Sequence, residues 1–345
     1  MSQKAVDAVA GNIALAGQPL LEVRNLAVEY AIREGTIRAV DQVDLAVYPN
    51  ETLAIVGESG CGKSTFAYAL IREVPHPGQI VGGEVWFADQ DLLSMNANEL
   101  RAFRWKEIAM VFQAAQSVLN PVMRVADQFI DTAQAHGVSS RPQIVAKASE
   151  LLTMVKLDPR RVLNSYPHEL SGGMKQRVII ALSLLLDPKM LILDEPTTAL
   201  DVVTQVAILD ILADIRRRLG LTMLLLTHDM SIVARVADRV AVMYAAQAVE
   251  VGSIEDIFYE PLHPYTYGLI HAVPSLVGDL SDREPISGSP PDLRNPPPAC
   301  RFHPRCAFAG PRCRETKPAM ESFAGRWVAC HHWRQIQEAR KRSLP

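Results

Sequence analysis

The residues that most limit what this chain can become stand in one unbroken run. The apolar stretch Thr52 to Val56 leads into Gly57-Glu58-Ser59-Gly60-Cys61-Gly62-Lys63-Ser64-Thr65, and the helical pattern Phe66 to Arg72 follows. A buried strand running into a glycine-rich loop and then a helix is the context that a phosphate-binding loop requires. The glycines let backbone N–H groups converge on phosphate oxygens, and the helix start adds the positive end of its dipole. In such a loop Lys63 reaches the β- and γ-phosphates of a nucleotide and Ser64 ligates magnesium.

The sequence around the loop predicts an α/β fold. Leu21 to Tyr30 and Arg38 to Val47 alternate apolar with polar residues, as half-buried antiparallel strands do. From Val125 to Leu157 the apolar positions Ile144, Ala148, Leu151, Leu152 and Val155 keep a helical spacing, which predicts an inserted helical subdomain. Two short apolar strands, Met190 to Leu193 and Thr222 to Leu226, flank the amphipathic pattern Val202 to Leu219, the βαβ alternation of a parallel sheet. The first of them ends in Asp194-Glu195, two carboxylates at a strand's C-terminal edge, where α/β sheets bind ligands. Asp194 suits a magnesium shell and Glu195 a base for water. Ser171-Gly172-Gly173 opens a further helix, with Ser171 as its cap and the glycines exposing backbone N–H groups, a second anion site. One chain thus offers two helix starts suited to phosphate but one full nucleotide loop, which implies that two chains share their nucleotides.

Bulk properties narrow the class. The 345 residues suffice for roughly two domains. With 48% hydrophobic and 21% charged residues, neither disorder nor a fibrous repeat is expected. A net charge of -3 argues against a protein whose main task is gripping nucleic acid. No apolar run approaches the ~18 to 20 residues of a bilayer span. Residues 1–19 read as an N-terminal extension. Between Pro274 and Pro298 lie 7 of the 23 prolines, which predicts an extended linker over 274–298. Four of the five cysteines, Cys300, Cys306, Cys313 and Cys330, follow it. Residues 299–345 are therefore expected to form a small Cys-rich module with a basic tail.

The order of phosphate loop, Gln113, Leu170 to Gln176, Asp194-Glu195, Ala199-Leu200-Asp201 and His228 resembles an ATP-binding cassette (ABC) ATPase. Within that superfamily the chain is most similar to the D-type ATPase subunit of bacterial oligopeptide and dipeptide importers. That narrower likeness rests on Met174, Asp194 to Asp201, His263-Pro264-Tyr265-Thr266 and the Cys-bearing tail. The resemblance implies an ABC-type P-loop NTPase over residues 20–273: a parallel-sheet core, an antiparallel β subdomain and a helical subdomain at about 114–186. It implies that Tyr30 stacks on adenine, that Gln113 touches magnesium and the attacking water, that His228 holds the γ-phosphate and that Asp201 lies at a dimer seam. It further implies a second, F-type ATPase chain, two membrane permeases and an extracytoplasmic peptide-binding protein as partners, at the cytoplasmic face of the plasma membrane. The rival functions are an importer ATPase for another cargo, such as nickel or a sugar, and a soluble ABC ATPase of repair or translation. One cassette without sustained heptads disfavours the soluble class.

The tail cysteines would face a reducing compartment, which disfavours disulfides and leaves metal as their natural use. Five, six and sixteen intervening residues do not fit the close pairs of a zinc ribbon. Iron-sulfur clusters tolerate wider spacing, and some ATPases similar to this one carry a four-iron, four-sulfur cluster on such a motif. A structural cluster is therefore expected, closing a module too poor in apolar residues to build its own core, with His303, His331 and His332 as rival ligands. Cys61, inside the nucleotide loop, reads as a small residue that fits rather than a redox-sensitive thiol.

Overall fold

The computed structural model describes residues 17–113, 117–198, 200–272 and 286–343. Residues 1–16 of the expected extension and 274–285 of the expected linker lie outside these, as do Ala199 and the first residues of the expected helical subdomain. In chain order the described strands are β1 (Leu21–Ile32), β2 (Gly35–Val47), β3 (Thr52–Val56), β4 (Gly78–Phe87), β5 (Gln90–Asp91), β6 (Ile108–Val111), β7 (Met190–Asp194), β8 (Thr222–Thr227), β9 (Arg239–Tyr244), β10 (Gln247–Ser253), β11 (Glu321–Phe323) and β12 (Arg326–Val328). The chain divides into two compact units. One comprises residues up to 48, 53–93 and 227 onward; the other comprises 49–52 and 94–226.

In the first unit β1 is the middle of an antiparallel layer, with β2 on one side and β4 on the other, so that Val23 lies opposite both Leu45 and Val85. All three side chains are buried. The alternation of β1 is interrupted between Val23 and Leu26, where Asn25 turns to φ 50° and its N–H donates to Asp44 Oδ1 at 2.7 Å. Asn tolerates that left-handed conformation better than most residues. On β4, Gly83 sits against the irregularity at φ +97°, and a Cβ there would lie 2.5 Å from Leu26 Cα. Gly83 lets β4 pass so close, and together with Gly82 it hides β4 as a strand in the sequence.

The same unit carries β3 parallel to β9, and then β9, β10, β12 and β11 as successive antiparallel neighbours. A two-residue turn joins β9 to β10 with Ala245 at φ 47° and Ala246 at φ 69°. Both positive angles match a type I′ hairpin, but alanine replaces the Asn-Gly pair that normally announces one.

The C-terminal residues do not form the separate Cys-rich module expected over 299–345. They belong to the first unit: β12 adds to the edge of β10, with Glu250 opposite Val328 and Val251 opposite Trp327. Phe302, 4% exposed, packs its ring 5.2 Å from Tyr244 and 5.5 Å from Tyr265. Burying such a ring contributes about 1.5–3 kcal/mol. A second cluster joins Leu262, Val328 and Trp333, with Phe323 and Cys330 against it. Beside it Glu250 is fully buried and accepts hydrogen bonds from Leu262 N at 2.7 Å and His263 N at 2.9 Å, while burial pushes its pKa up to about 7. The tail is indeed too poor in apolar residues for a core of its own, and it uses the cassette's core instead.

In the second unit β6, β7 and β8 run parallel and every residue of the three is buried, with Met190 to Asp194 in register with Thr222 to Leu226. The helix Val202–Leu219 starts where Asp201 caps it and stops at Gly220, φ 60°, and it buries Ile208, Leu209, Ile211, Leu212 and Ile215 along one face. The helical pattern from Val125 to Leu157 resolves into two helices, Val125–Ala135 and Arg141–Met154. Gly137 at φ 84° breaks the first, and Pro142 fits the first turn of the second because it lacks only an N–H that would have no intrahelical partner.

Candidate functional site

The phosphate loop leaves β3 and enters the helix Lys63–Leu70. Two of its glycines are required by contact. A Cβ on Gly57 would lie 2.1 Å from Met243 O, and one on Gly62, at φ +106°, would lie 2.1 Å from Ala39 O. The loop is thus pressed on the backbones of β9 and β2. Cys61 reinforces the seat: its carbonyl accepts from Ala246 N at 2.9 Å and its side chain is 5% exposed. Burial pushes its thiol pKa up, the opposite of an activated thiol, so the reading of Cys61 as a packing residue agrees with the structure. Lys63 is buried, and its ammonium donates to Gly57 O at 2.7 Å and Glu58 O at 3.2 Å, which holds the positive charge over the loop. Ser59 and Gly60 are exposed at the rim, while Ser64 and Thr65 are half-buried in the first helical turn. Tyr30, on β1, brings its hydroxyl to 3.3 Å from Thr65 Oγ1. In the same unit His228 is exposed between β8 and the helix Met230–Val236, and Asp229 N donates to Thr227 Oγ1 at 3.1 Å.

The second unit gathers the other predicted groups. Asp194 closes β7 and is fully buried. Glu195 follows at φ 47°, a left-handed conformation that costs a non-glycine residue about 1–3 kcal/mol and is found where a side chain must be aimed. Its N–H donates to Leu226 O at 2.9 Å, tying the turn to the end of β8. Its Oε2 accepts from Gln113 Nε2 at 3.1 Å and from Thr198 Oγ1 at 3.0 Å. Gln113 and Glu195, 82 positions apart, therefore form one polar pair that can hold and deprotonate a water.

Ser171 caps the helix Gly172–Ser183 by accepting from Met174 N at 3.4 Å, and it is exposed. Gly173 is buried, because a Cβ there would lie 2.6 Å from Thr204 Cγ2. Thr204 is held by Asp201, whose carboxylate accepts from Thr204 N at 2.9 Å and Thr204 Oγ1 at 2.7 Å. The Thr204 hydroxyl bond keeps the exposed Asp201 below the usual carboxylate range. Gly173 and Asp201 are thus linked through a residue that the sequence did not single out.

Also missed were Arg305, Tyr244 and Tyr265. Arg305 forms a two-pronged ion pair with Glu58 of the phosphate loop, at 2.7 and 3.0 Å, and Tyr265 OH accepts from Glu58 N at 3.0 Å. Pairing across 247 residues leaves no trace in local pattern.

The tail cysteines do not form a ready metal cage. Among the described residues no three or more His, Cys, Asp or Glu side chains are grouped to hold a metal ion, so the four-cysteine ligand set expected from the sequence is not assembled. The thiols are nonetheless mutual neighbours. Burial first, and then the other cysteines, push Cys306 up to about 11 and Cys330 up to about 12. One ring nitrogen of each rival histidine is bonded to another group: His303 Nδ1 lies 2.9 Å from Cys300 O, His331 Nε2 2.8 Å from Thr316 O, and His332 Nδ1 3.0 Å from Gln335 Oε1, while the buried His332 Nε2 has no hydrogen-bond partner among the described residues.

A glycine-tight phosphate loop, a strand closed by the buried Asp194 with Glu195 after it, and a Ser-Gly-Gly helix start together define an ABC ATPase, and the comparisons agree. A family model described as ABC transporter matches residues 40–198. The solved dimeric structure of the ATP-binding cassette MJ0796, in a post-hydrolysis state bound to ADP and Pi, matches with a TM-score of 0.61 and 27% identity, covering 68% of this chain and 98% of that one. A second model, for the oligopeptide/dipeptide transporter C-terminal region, matches residues 249–313. The dipeptide transport ATP-binding protein DppD of Caldanaerobacter subterraneus is 51% identical over 314 residues, which is 90% of this chain and 96% of the relative. The oligopeptide transport ATP-binding protein OppD of Bacillus subtilis is 43% identical, over 87% of this chain and 85% of its own length. The chain belongs to the ABC ATPases, in the branch of the oligopeptide and dipeptide transport ATP-binding proteins.

Proposed function

We propose that this chain is the ATP-hydrolysing subunit that powers import of oligopeptides or dipeptides through a pair of membrane permeases. The observation that carries the cargo class is the oligopeptide/dipeptide C-terminal match over residues 249–313, the segment that includes Arg305 and Tyr265. ATP is held by Gly57, Ser59, Gly60, Cys61, Gly62, Lys63, Ser64 and Thr65, with Tyr30 against the adenine. Ser64, Gln113 and Asp194 carry the hard oxygen donors that magnesium prefers and are the ligands assigned to it in this reading; the ion would supply charge neutralisation at the phosphates. Gln113 orients the attacking water, Glu195 takes its proton, and His228 steadies the γ-phosphate. Ser171, Gly172 and Gly173 serve the nucleotide of the opposing cassette, with Asp201 at the seam, so that ATP closes the dimer and hydrolysis reopens it.

Among the described residues no helix is long and apolar enough to cross a membrane. We place the chain as a peripheral subunit at the cytoplasmic face of the plasma membrane, paired with a different, F-type cassette chain and fed by an extracytoplasmic peptide-binding protein. Purification of the tagged chain from native membranes tests this: the expected result is one further cassette chain and two permeases. Recovery of a homodimer without membrane subunits would reject it.

A four-iron, four-sulfur cluster on Cys300, Cys306, Cys313 and Cys330 is the finer cofactor proposal. The crowding of tail cysteines, with Cys300 N donating to Cys313 O at 3.1 Å, supports it and the missing preformed cage counts against it, so loading would have to draw the thiols together. Protein purified without oxygen is then expected to be brown and to hold iron at about four per chain, and colourless, iron-free protein would dismiss the cluster.

A further inference from the structure

A carboxylate inside a phosphate-binding loop is an electrostatic contradiction. Glu58 directly follows Gly57, and a triphosphate gathered by the loop meets a negative side chain that repels it. The fold answers this from the far end of the chain. Arg305 lies in the short turn His303–Arg305, its side chain 6% exposed, and donates Nη1 to Glu58 Oε2 at 2.7 Å and Nη2 to Glu58 Oε1 at 3.0 Å. The guanidinium is itself fixed: Nε donates to Ser287 O at 2.8 Å, Nη1 lies 3.4 Å from Tyr244 OH, and its carbon stands 5.7 Å from the centre of the Tyr244 ring. A planar fork held on three sides is well suited to pin a carboxylate in one orientation. The backbone of Glu58 is pinned too, since its N–H donates to Tyr265 OH at 3.0 Å and its carbonyl accepts from Lys63 Nζ at 3.2 Å. The residue that carries Lys63's second hydrogen bond is therefore the one that the C-terminal tail grips.

We propose that Arg305 is a positioning residue of the ATP site: by pairing with Glu58 it neutralises the carboxylate and keeps it from opposing the triphosphate, so that nucleotide affinity depends on that pairing. The inference rests on the reading of the loop as the ATP site and adds to it a residue outside every cassette motif. A tail that only decorated the fold would have no reason to place a buried, firmly held cation on the loop's one acidic side chain.

The test is a set of full-length variants titrated with a fluorescent ATP analogue. Arg305→Gln leaves the Glu58 charge uncompensated, and its affinity is expected to fall about tenfold, equivalent to about 1.4 kcal/mol, with KM rising and kcat at saturating ATP little changed. The double variant Glu58→Gln, Arg305→Gln removes both charges and is expected to return to within about threefold of the parent, a coupling that independent sites would not show. If Arg305 merely anchored the tail, the double variant would bind as weakly as Arg305→Gln, and that result, or an unchanged affinity in Arg305→Gln, overturns the proposal. Should Arg305→Gln fail to fold, Glu58→Gln alone decides: with the repelling charge gone and Arg305 left uncompensated beside the loop, binding must tighten, and unchanged or weaker binding overturns the proposal. Lys63→Ala in the same titration separates the two levels: parent protein that bound ATP no better than Lys63→Ala would refute the ATP site itself, whereas a failure confined to the Arg305 set would refute only its role.

Discussion

Glu195→Gln is expected to leave ATP binding intact and to slow hydrolysis by about 10²- to 10⁴-fold, the usual cost of losing a general base. The substitution is nearly isosteric, and the glutamine oxygen can still accept from Gln113 Nε2 and Thr198 Oγ1, which hold Glu195 at 3.1 and 3.0 Å. The left-handed backbone at φ 47° places the same demand on either side chain. What disappears is a carboxylate able to take the proton of water. Phosphate release measured beside nucleotide binding separates these effects, and near-normal turnover would remove Glu195 from the reaction.

Lys63→Ala is expected to act one step earlier, on binding. The buried ammonium, bonded to the carbonyls of Gly57 and Glu58 at 2.7 and 3.2 Å, braces the loop and supplies its side-chain positive charge. Alanine removes the charge-assisted contact to phosphate, and ATP affinity should drop at least tenfold, about 1.4 kcal/mol. Hydrolysis in Lys63→Ala would fall because the site is empty, whereas in Glu195→Gln it falls with the site full. A Lys63→Ala chain that bound ATP like the parent would exclude the loop as the triphosphate seat.

These two residues were legible because each follows a strand whose apolar run is written locally, Glu195 directly and Lys63 at the end of the glycine-rich loop. Thr52–Val56 came out with the same bounds in sequence and structure, and so did the helix Val202–Leu219, which the structure shows capped by Asp201 and stopped at Gly220. Strand β4 was not legible, since Gly82 and Gly83 interrupt its alternation, and Gly83 is there for a close approach to Leu26 across the sheet. The hairpin from β9 to β10 escaped for a similar reason, its positive angles carried by Ala245 and Ala246. The tail was misread most. Its four cysteines and scarce apolar residues suggested a self-contained module, but Phe302, Val328 and Trp333 are buried in clusters completed by Tyr244, Tyr265 and Leu262.

The sequence by itself determined the chemistry: the loop glycines, Lys63, Asp194-Glu195 and the capped start at Ser171 are short-range patterns whose meaning lies in their spacing and in the elements beside them. Only the tertiary structure decided what each of these groups leans on. The Gln113–Glu195 pair, the path from Gly173 through Thr204 to Asp201, and the clamp of Arg305 on Glu58 join residues 82, 31 and 247 positions apart or more locally through a shared neighbour. Such contacts depend on the packing of distant strands and turns, and no periodicity along the chain records which distant side chains that packing will bring together.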